Sequence, residues 1–252
     1  MKKMKTDIES GYRDKLLCIG HRGAMGHEPE NTVLSIERAL ELGAHCVEVD
    51  VQYIDGNLFI FHDDRLERTT NGRGYITSKD FKYLRSLDAG KGQQIPTLEE
   101  VLDTVDMRAG VNIELKGRGT AQPVTDLVAK YRQKGWSDKL ILISSFDHHE
   151  LKKVREIDGT VLLGALYEDI PENSFSSARE MGAYSVHPSV KFVDRDFVQD
   201  AHANGFRVYV YTVNRPGHIG RMKELDVDGV FTNYPERVVN TNSGEKFENE
   251  WL

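Results

Sequence analysis

The sequence is short of cysteine, short of basic charge and without any long apolar run, and each shortage excludes a class of protein. Two cysteines in 252 residues cannot build a disulfide framework, and Cys18 and Cys46 lack the spacing of a zinc site. Both sit in apolar strand-like runs, which is where buried reduced thiols belong. With 33 Lys and Arg against 40 Asp and Glu, the formal charge is −7. That leaves no basic footprint for nucleic acid, so an anionic substrate must be drawn in by local charges. No segment approaches the roughly 18 apolar residues of a membrane span. The opening Met-Lys-Lys is followed by Asp7, Glu9, Arg13 and Asp14. The apolar run from Leu16 to Ile19 is shorter than a secretory core, so a soluble cytoplasmic protein is expected. Internal repeats and low-complexity tracts are also missing.

What is present is alternation. Apolar content is 39%, enough for a sizeable core, and the length suits one α/β barrel of about 250 residues. Eight strand-like runs recur: Leu16–Gly20, His45–Val51, Val111–Lys116, Leu140–Ser144, Val161–Leu166, Ala183–His187, Arg207–Tyr211 and Gly229–Thr232. Helix-like stretches lie between and after them: Thr32–Leu42, Leu98–Val105, Gln122–Lys134, His148–Ile157, Glu172–Met181, Asp194–Ala203, Gly217–Glu224 and Pro235–Asn240. In the first of these, Val33, Ile36, Ala39 and Leu40 share one stripe. Gly43, Gly135, Gly182 and Gly205 stand where left-handed helix caps are expected. Strict β-then-α alternation predicts a parallel sheet, and eight units predict closure into a TIM-type (β/α)8 barrel. An open doubly wound sheet is the alternative on pattern alone.

One interval breaks the rhythm. Asp55-Gly56 is a tight-turn signal, so the second strand should run on into a hairpin whose return arm, Leu58 to Phe61, brings His62 back towards Glu48 and Asp50. The stretch that follows is too long for a simple βα loop. A small insertion of about residues 63–96 over one mouth of the barrel is expected after strand 2. The whole chain, 1–252, then reads as a single domain, with a polar, mobile tail of about 241–252.

Two strands carry acids where a barrel strand should be apolar. In Val111-Asn112-Ile113-Glu114-Leu115-Lys116, side chains alternate, so Asn112, Glu114 and Lys116 share one face. In Cys46 to Val51 the valines face one way and Glu48 and Asp50 the other. Burying such a row has a desolvation cost that partners, a metal or water must offset. At the strand ends, where barrel chemistry sits, Glu48, Asp50 and Glu114 should converge with His21 and Arg22. Three carboxylates suit a hard cation, Mg²⁺, Ca²⁺ or Mn²⁺. Arg22 and Lys116 suit a phosphate beside it, and His21 and His62 an acid–base pair. The plainer alternatives are structural pairing of the acids with Lys116 and Arg22, a capping role for His21 and a surface position for His62. His148 and His149 look like a solvent-side helix start, and His187, His202 and His218 carry no role. Phe146 and Tyr211 are candidate pocket residues, with ordinary packing the rival for both; Tyr209 reads as barrel filling.

These residues also carry a resemblance. His21-Arg22-Gly23-Ala24-x-Gly26-x-x-Pro29-Glu30-Asn31-Thr32 resembles the opening signature of the glycerophosphodiester phosphodiesterase family. Glu48-x-Asp50, Phe61-His62-Asp63, Arg68-Thr69-Thr70-Asn71-Gly72, Pro96-Thr97-Leu98 and Glu114-x-Lys116 follow it in order. The resemblance implies a TIM-type barrel inserted after strand 2, and a divalent metal on Glu48, Asp50 and Glu114. It implies catalysis by His21 and His62, with Arg22 and Lys116 on the phosphate. The reaction implied is metal-dependent hydrolysis of glycerophosphodiesters, such as glycerophosphocholine or glycerophosphoethanolamine, to an alcohol and sn-glycerol 3-phosphate. The partner is then a small molecule, with no nucleic acid and no membrane span. Two departures stand out. Tyr211 precedes Thr212-Val213-Asn214 where the family often has Trp, and the Asp55-Gly56 hairpin looks a residue short. A phospholipase-D-like hydrolase of lysophospholipids and a non-catalytic phosphate- or headgroup-binding barrel are the competing expectations.

Overall fold

The computed structural model describes residues 15–169, 175–242 and Trp251. Among them, strands β1 (Leu17–Gly20), β2 (Cys46–Ile54), β3 (Asn57–Ile60), β4 (Gly110–Leu115), β5 (Ile141–Ser145), β6 (Leu162–Tyr167), β7 (Ser185–Pro188), β8 (Arg207–Val210) and β9 (Gly229–Thr232) form one sheet. β1 is parallel to both β2 and β9, and every pairing from β4 round to β9 is also parallel. The sheet therefore closes on itself as an eight-stranded (β/α)8 barrel, with β3 antiparallel to β2 and outside the ring. The doubly wound alternative is excluded by the β1–β2 closure.

The helices are α1 (Val33–Glu41), α2 (Phe81–Ser86), α3 (Leu98–Val105), α4 (Ala121–Gln133), α5 (His148–Ile157), α6 (Ser176–Glu180), α7 (Arg195–Ala203), α8 (Pro216–Glu224) and α9 (Pro235–Val239). Their starts follow local chemistry. Thr32 accepts a hydrogen bond from the Ser35 amide at the head of α1, and Thr97 and Glu100 form a reciprocal capping box on α3. Residues 172–174 of the expected fifth helix lie outside the described residues. The expected strand from Leu140 begins one residue later, because Asp138–Leu140 forms a 3₁₀ turn.

Alternation along the strands sorts the side chains into two cores. Val47, Val49, Val51, Val111, Ile113 and Ile143 point outward and join helix residues such as Ile36, Leu98 and Val128 in the main core. Leu17, Ile19, Cys46, Leu142, Tyr209 and Phe231 fill the barrel with Trp251. Strands buried on both faces are what a helix-covered parallel sheet requires. The register sets Glu48 beside Asn112, Asp50 beside Glu114 and Glu114 beside Ser144. The stretch between β3 and α3 folds around a separate cluster that includes Phe61, Leu66, Ile76, Leu84 and Ile95.

Of the stretch expected as a mobile tail, Thr241, Asn242 and Trp251 are described, and Asn242 exchanges two hydrogen bonds with the Leu16 backbone at 3.0 and 3.1 Å. Residues 243–250 and Leu252 lie outside the described residues, but Trp251 is 3% exposed. Its indole Nε1–H donates to the Leu140 carbonyl at 3.3 Å, and its ring lies 5.6 Å from that of Tyr209. A large apolar ring closing the apolar end of a barrel has more to gain from burial than its polar neighbours in sequence.

Candidate active site

A cavity of about 830 Å³ opens at the C-terminal ends of the strands, lined in part by His21, Arg22, Glu48, His62, Glu114 and Lys116. Every expected site residue reaches it except Asp50, which is buried directly behind.

The turn after β1 presents His21 and Arg22. Arg22 is left-handed (φ 52°), a conformation that costs a non-glycine residue on the order of 1 kcal/mol. Three bonds hold it there. Its amide donates to Glu48 Oε2 at 2.8 Å, and its carbonyl accepts from Ser35 Oγ at 2.8 Å and from the Asn31 amide at 3.1 Å. Gly23 follows at φ 78°, where a Cβ would lie 2.5 Å from the Ser35 backbone, so only glycine fits. The Arg22 guanidinium then reaches Asp50 at 3.1 Å and Glu30 at 2.6 Å.

Carboxylate oxygens of Glu48, Asp50 and Glu114 lie within 4.8 Å of one another. Lys116 is 3.3 Å from Asp50 and in contact with Glu114. The structural pairing expected as the plainer alternative is therefore real, but two cations face three acids and Glu48 Oε1 is left buried without a hydrogen-bond partner. Burial, reinforced by Asp50 and Glu114, raises the Glu48 carboxyl well above the usual carboxylate range. Burial and Asp50 push Glu114 up to about 7. Asp50 is held low: burial opposes its charge, but Lys116 and Arg22 outweigh it. A charge-deficient, all-oxygen donor set with an orphaned buried oxygen fits a hard divalent cation.

The two histidines are held differently. His21 Nδ1 lies 2.8 Å from Asn233 Oδ1, and burial followed by the Arg22 charge lowers its pKa to about 4. His62 Nδ1 lies 2.6 Å from Asp63 Oδ1, and Asp63 is itself lowered to about 2, chiefly by hydrogen bonds from Arg68. In each ring an acceptor facing Nδ1 favours the tautomer that carries its proton there, with Nε2 unprotonated.

Phe146, 37% exposed, stands edge-on to Tyr211 at 5.8 Å, with the Lys116 ammonium 5.6 Å from its ring. Both aromatics line the cavity, together with Glu168, Asp169, Ser189, Lys191 and Phe192. Tyr209 fills the barrel, buried at 2% exposure. His148 is less solvent-facing than expected: it bridges the Leu166 carbonyl at 3.1 Å and Ser177 Oγ at 3.0 Å. His187 is fully buried beside Ser185.

Sequence reasoning missed the residues that hold the others. Asn31 clasps Asp50, donating to Oδ2 at 2.8 Å. Glu30, Asp63 and Arg68 form an ion-pair group beside the histidine and arginine. All four lie inside the motifs quoted above, which was the available signal. Asn233 carried none, being 212 residues from His21; only the neighbouring of β9 and β1 brings it there.

Comparison with known proteins shows the family. The model of the glycerophosphoryl diester phosphodiesterase family matches residues 21–237. A glycerophosphodiester phosphodiesterase of Caldanaerobacter subterraneus is 35% identical over 237 residues, covering 90% of this chain and 97% of that one. One from Bacillus subtilis is 33% identical over 249 residues, covering 88% and 85%. Among solved structures, an Oleispira antarctica phosphodiesterase in complex with the product sn-glycerol-3-phosphate superposes with a TM-score of 0.82 at 30% identity, covering 90% of this chain and 96% of that one. From its acidic strand ends to its insertion, the chain belongs to the glycerophosphoryl diester phosphodiesterase family.

Proposed function

We propose that this protein hydrolyses glycerophosphodiesters to an alcohol and sn-glycerol 3-phosphate, with a divalent cation, Mg²⁺ or Ca²⁺, held by Glu48, Asp50 and Glu114. The observation that carries this reading is the buried carboxylate trio set in one cavity with two histidines and two cations. The similarity to relatives named for that activity supports it.

A bound cation supplies Lewis-acid polarisation of a phosphoryl oxygen. Arg22 and Lys116 sit beside the trio and neutralise negative charge that grows on the phosphate in the transition state. His21, kept neutral by burial, is the general base: it takes the proton of the attacking oxygen on Nε2 while Asn233 holds Nδ1. His62, oriented by Asp63, then protonates the departing alkoxide. Each of these transfers is worth roughly 10²–10⁴ in rate. Phe146 and Tyr211 flank the alcohol half of the substrate. Among the described residues no helix is long and apolar enough to cross a membrane.

The test is turnover of glycerophosphocholine and glycerophosphoethanolamine by the purified protein with Mg²⁺ or Ca²⁺ and with chelator, assayed for sn-glycerol 3-phosphate. A lysophospholipid is run in parallel. Metal-dependent release from the deacylated substrates supports the reading. Turnover of the lysolipid alone replaces it with the phospholipase-D-like activity, and binding without turnover leaves a headgroup-binding barrel.

A further inference from the structure

Arg68 belongs to the insertion, in the short turn Leu66–Arg68, and has no place in the chemistry just described. Its guanidinium nevertheless makes four hydrogen bonds, all to two carboxylates. Nε and Nη2 donate to the two oxygens of Asp63 at 2.5 and 2.9 Å. Nη1 and Nη2 donate to the two oxygens of Glu30 at 2.6 and 2.7 Å. Each carboxylate has a second partner in the site. Asp63 Oδ1 lies 2.6 Å from His62 Nδ1, and Glu30 Oε1 accepts from Arg22 Nη1 at 2.6 Å. Arg22 continues to Asp50 at 3.1 Å.

The chain of contacts joins parts of the molecule that are remote in sequence. His62 follows the hairpin arm β3, Arg22 follows β1, and Arg68 links the carboxylates behind both. Such a bridge also contributes to stability: Arg68 is 48% exposed, but Glu30 is only 11%, and a bidentate network is the kind of exposed ion pair that does stabilise. What the geometry adds is directional. Two bidentate contacts fix the planes of both carboxylates. A fixed Asp63 holds the Nδ1–H tautomer of His62 and the orientation of its ring. Only a planar fork with donors on both sides can engage two carboxylates in this way; a lysine would hold one as a point charge.

We propose that Arg68 is a positioning residue of the active site: it holds Asp63, and through it His62, in the reacting orientation, and holds Glu30 behind Arg22. The proposal rests on the assignment of His62 to acid–base chemistry and of Arg22 to the phosphate.

The experiment is steady-state kinetics of the full-length protein on glycerophosphocholine at saturating Mg²⁺ or Ca²⁺. The variants are Arg68→Ala, Arg68→Lys, Asp63→Asn, the double variant Asp63→Asn/Arg68→Ala, and His62→Ala, each with a thermal melt. Loss of an orienting partner behind a reacting group costs roughly 10–100-fold, and here it should appear in kcat for Arg68→Ala assayed well below the onset of its own melt. Arg68→Lys should recover part of it. In the Asp63→Asn background, Arg68→Ala should cost less than it does in the parent, because the part acting through Asp63 is already lost. Wild-type kcat in Arg68→Ala, or an equal loss with and without Asp63, overturns the proposal while leaving the functional reading intact. A His62→Ala protein with parental turnover overturns that reading and the positioning role together. If Arg68→Ala does not fold, Arg68→Lys decides: undiminished kcat overturns the proposal, and a kcat loss well below the onset of its own melt supports it.

Discussion

The two ends of this barrel are built from the same strands and behave as different materials. Two to four residues along a strand separate them. In β2, Cys46 lies in the apolar filling and Asp50 among the charges; in β4, Gly110 touches the plug and Glu114 the acid cluster. Following β8, Tyr209 faces Trp251 at 5.6 Å, whereas Tyr211 faces the cavity and donates to the Tyr167 carbonyl at 2.8 Å. The closed end is filled by shape and apolar area. The open end concentrates buried charge, a left-handed arginine and an orphaned carboxylate oxygen. Stability and function have been parted along one axis, so substitutions at the two ends should fail in opposite ways.

The largest expected effect is at the open end. His21→Ala and His62→Ala should each lower turnover of glycerophosphocholine by roughly 10²–10⁴, with thermal melts close to the parent. Both retaining parental rates would remove the distinction between the ends.

Next comes Glu48→Gln, expected to cost roughly 10²–10³ in kcat, the scale of losing one electrostatic stabiliser of the transition state. In chelator at alkaline pH, where Glu48 is ionised, the same variant should melt higher than the parent, since it removes a buried charge facing two like charges. The sign with pH follows. Glu48 and Glu114 have raised pKa values in the folded state, Glu114 moving from 4.5 to about 7. The metal-free fold therefore holds extra protons in that window and loses stability as pH rises through it. Added Mg²⁺ or Ca²⁺ should raise the melting temperature more at pH 8 than at pH 5, and the difference should shrink in Glu48→Gln. A metal shift independent of pH would contradict this charge picture.

At the closed end the pattern reverses. Trp251→Ala should cost about 3 kcal/mol, the low end for truncating a buried aromatic, and leave kcat and KM unchanged. Smallest of all, Tyr209→Phe removes the 3.4 Å bond to the Trp251 carbonyl and should cost about 0.5–1 kcal/mol of stability. Tyr211→Phe should move KM instead. Denaturant melts and Michaelis curves on the same preparations separate the two outcomes.

Much of this was legible in the sequence, for reasons that have limits. The period-two pattern of Val47-Glu48-Val49-Asp50-Val51 placed the acids on the inner face, and register then set Asp50 beside Glu114. His62 was readable only because a short hairpin returns it. Long-range partners were not: Asn233 meets His21 because the barrel closes between β9 and β1, a fact of three dimensions. Trp251 was hidden by the polar residues around it, since burial of one ring leaves no periodic trace. Arg68, Glu30 and Asp63 were visible as motif residues, but nothing local says that one guanidinium joins two carboxylates from separate loops.

The claim on which the rest depends is that Glu48, Asp50 and Glu114 hold one cation beside His21 and His62. The most direct measurement is anomalous diffraction from crystals grown with Mn²⁺. The expected result is a single strong peak at about 2.0–2.6 Å, the range of metal–oxygen bonds to hard cations, from an oxygen of each of the three carboxylates. A peak elsewhere, or none in crystals of protein that is active with Mn²⁺, would contradict it.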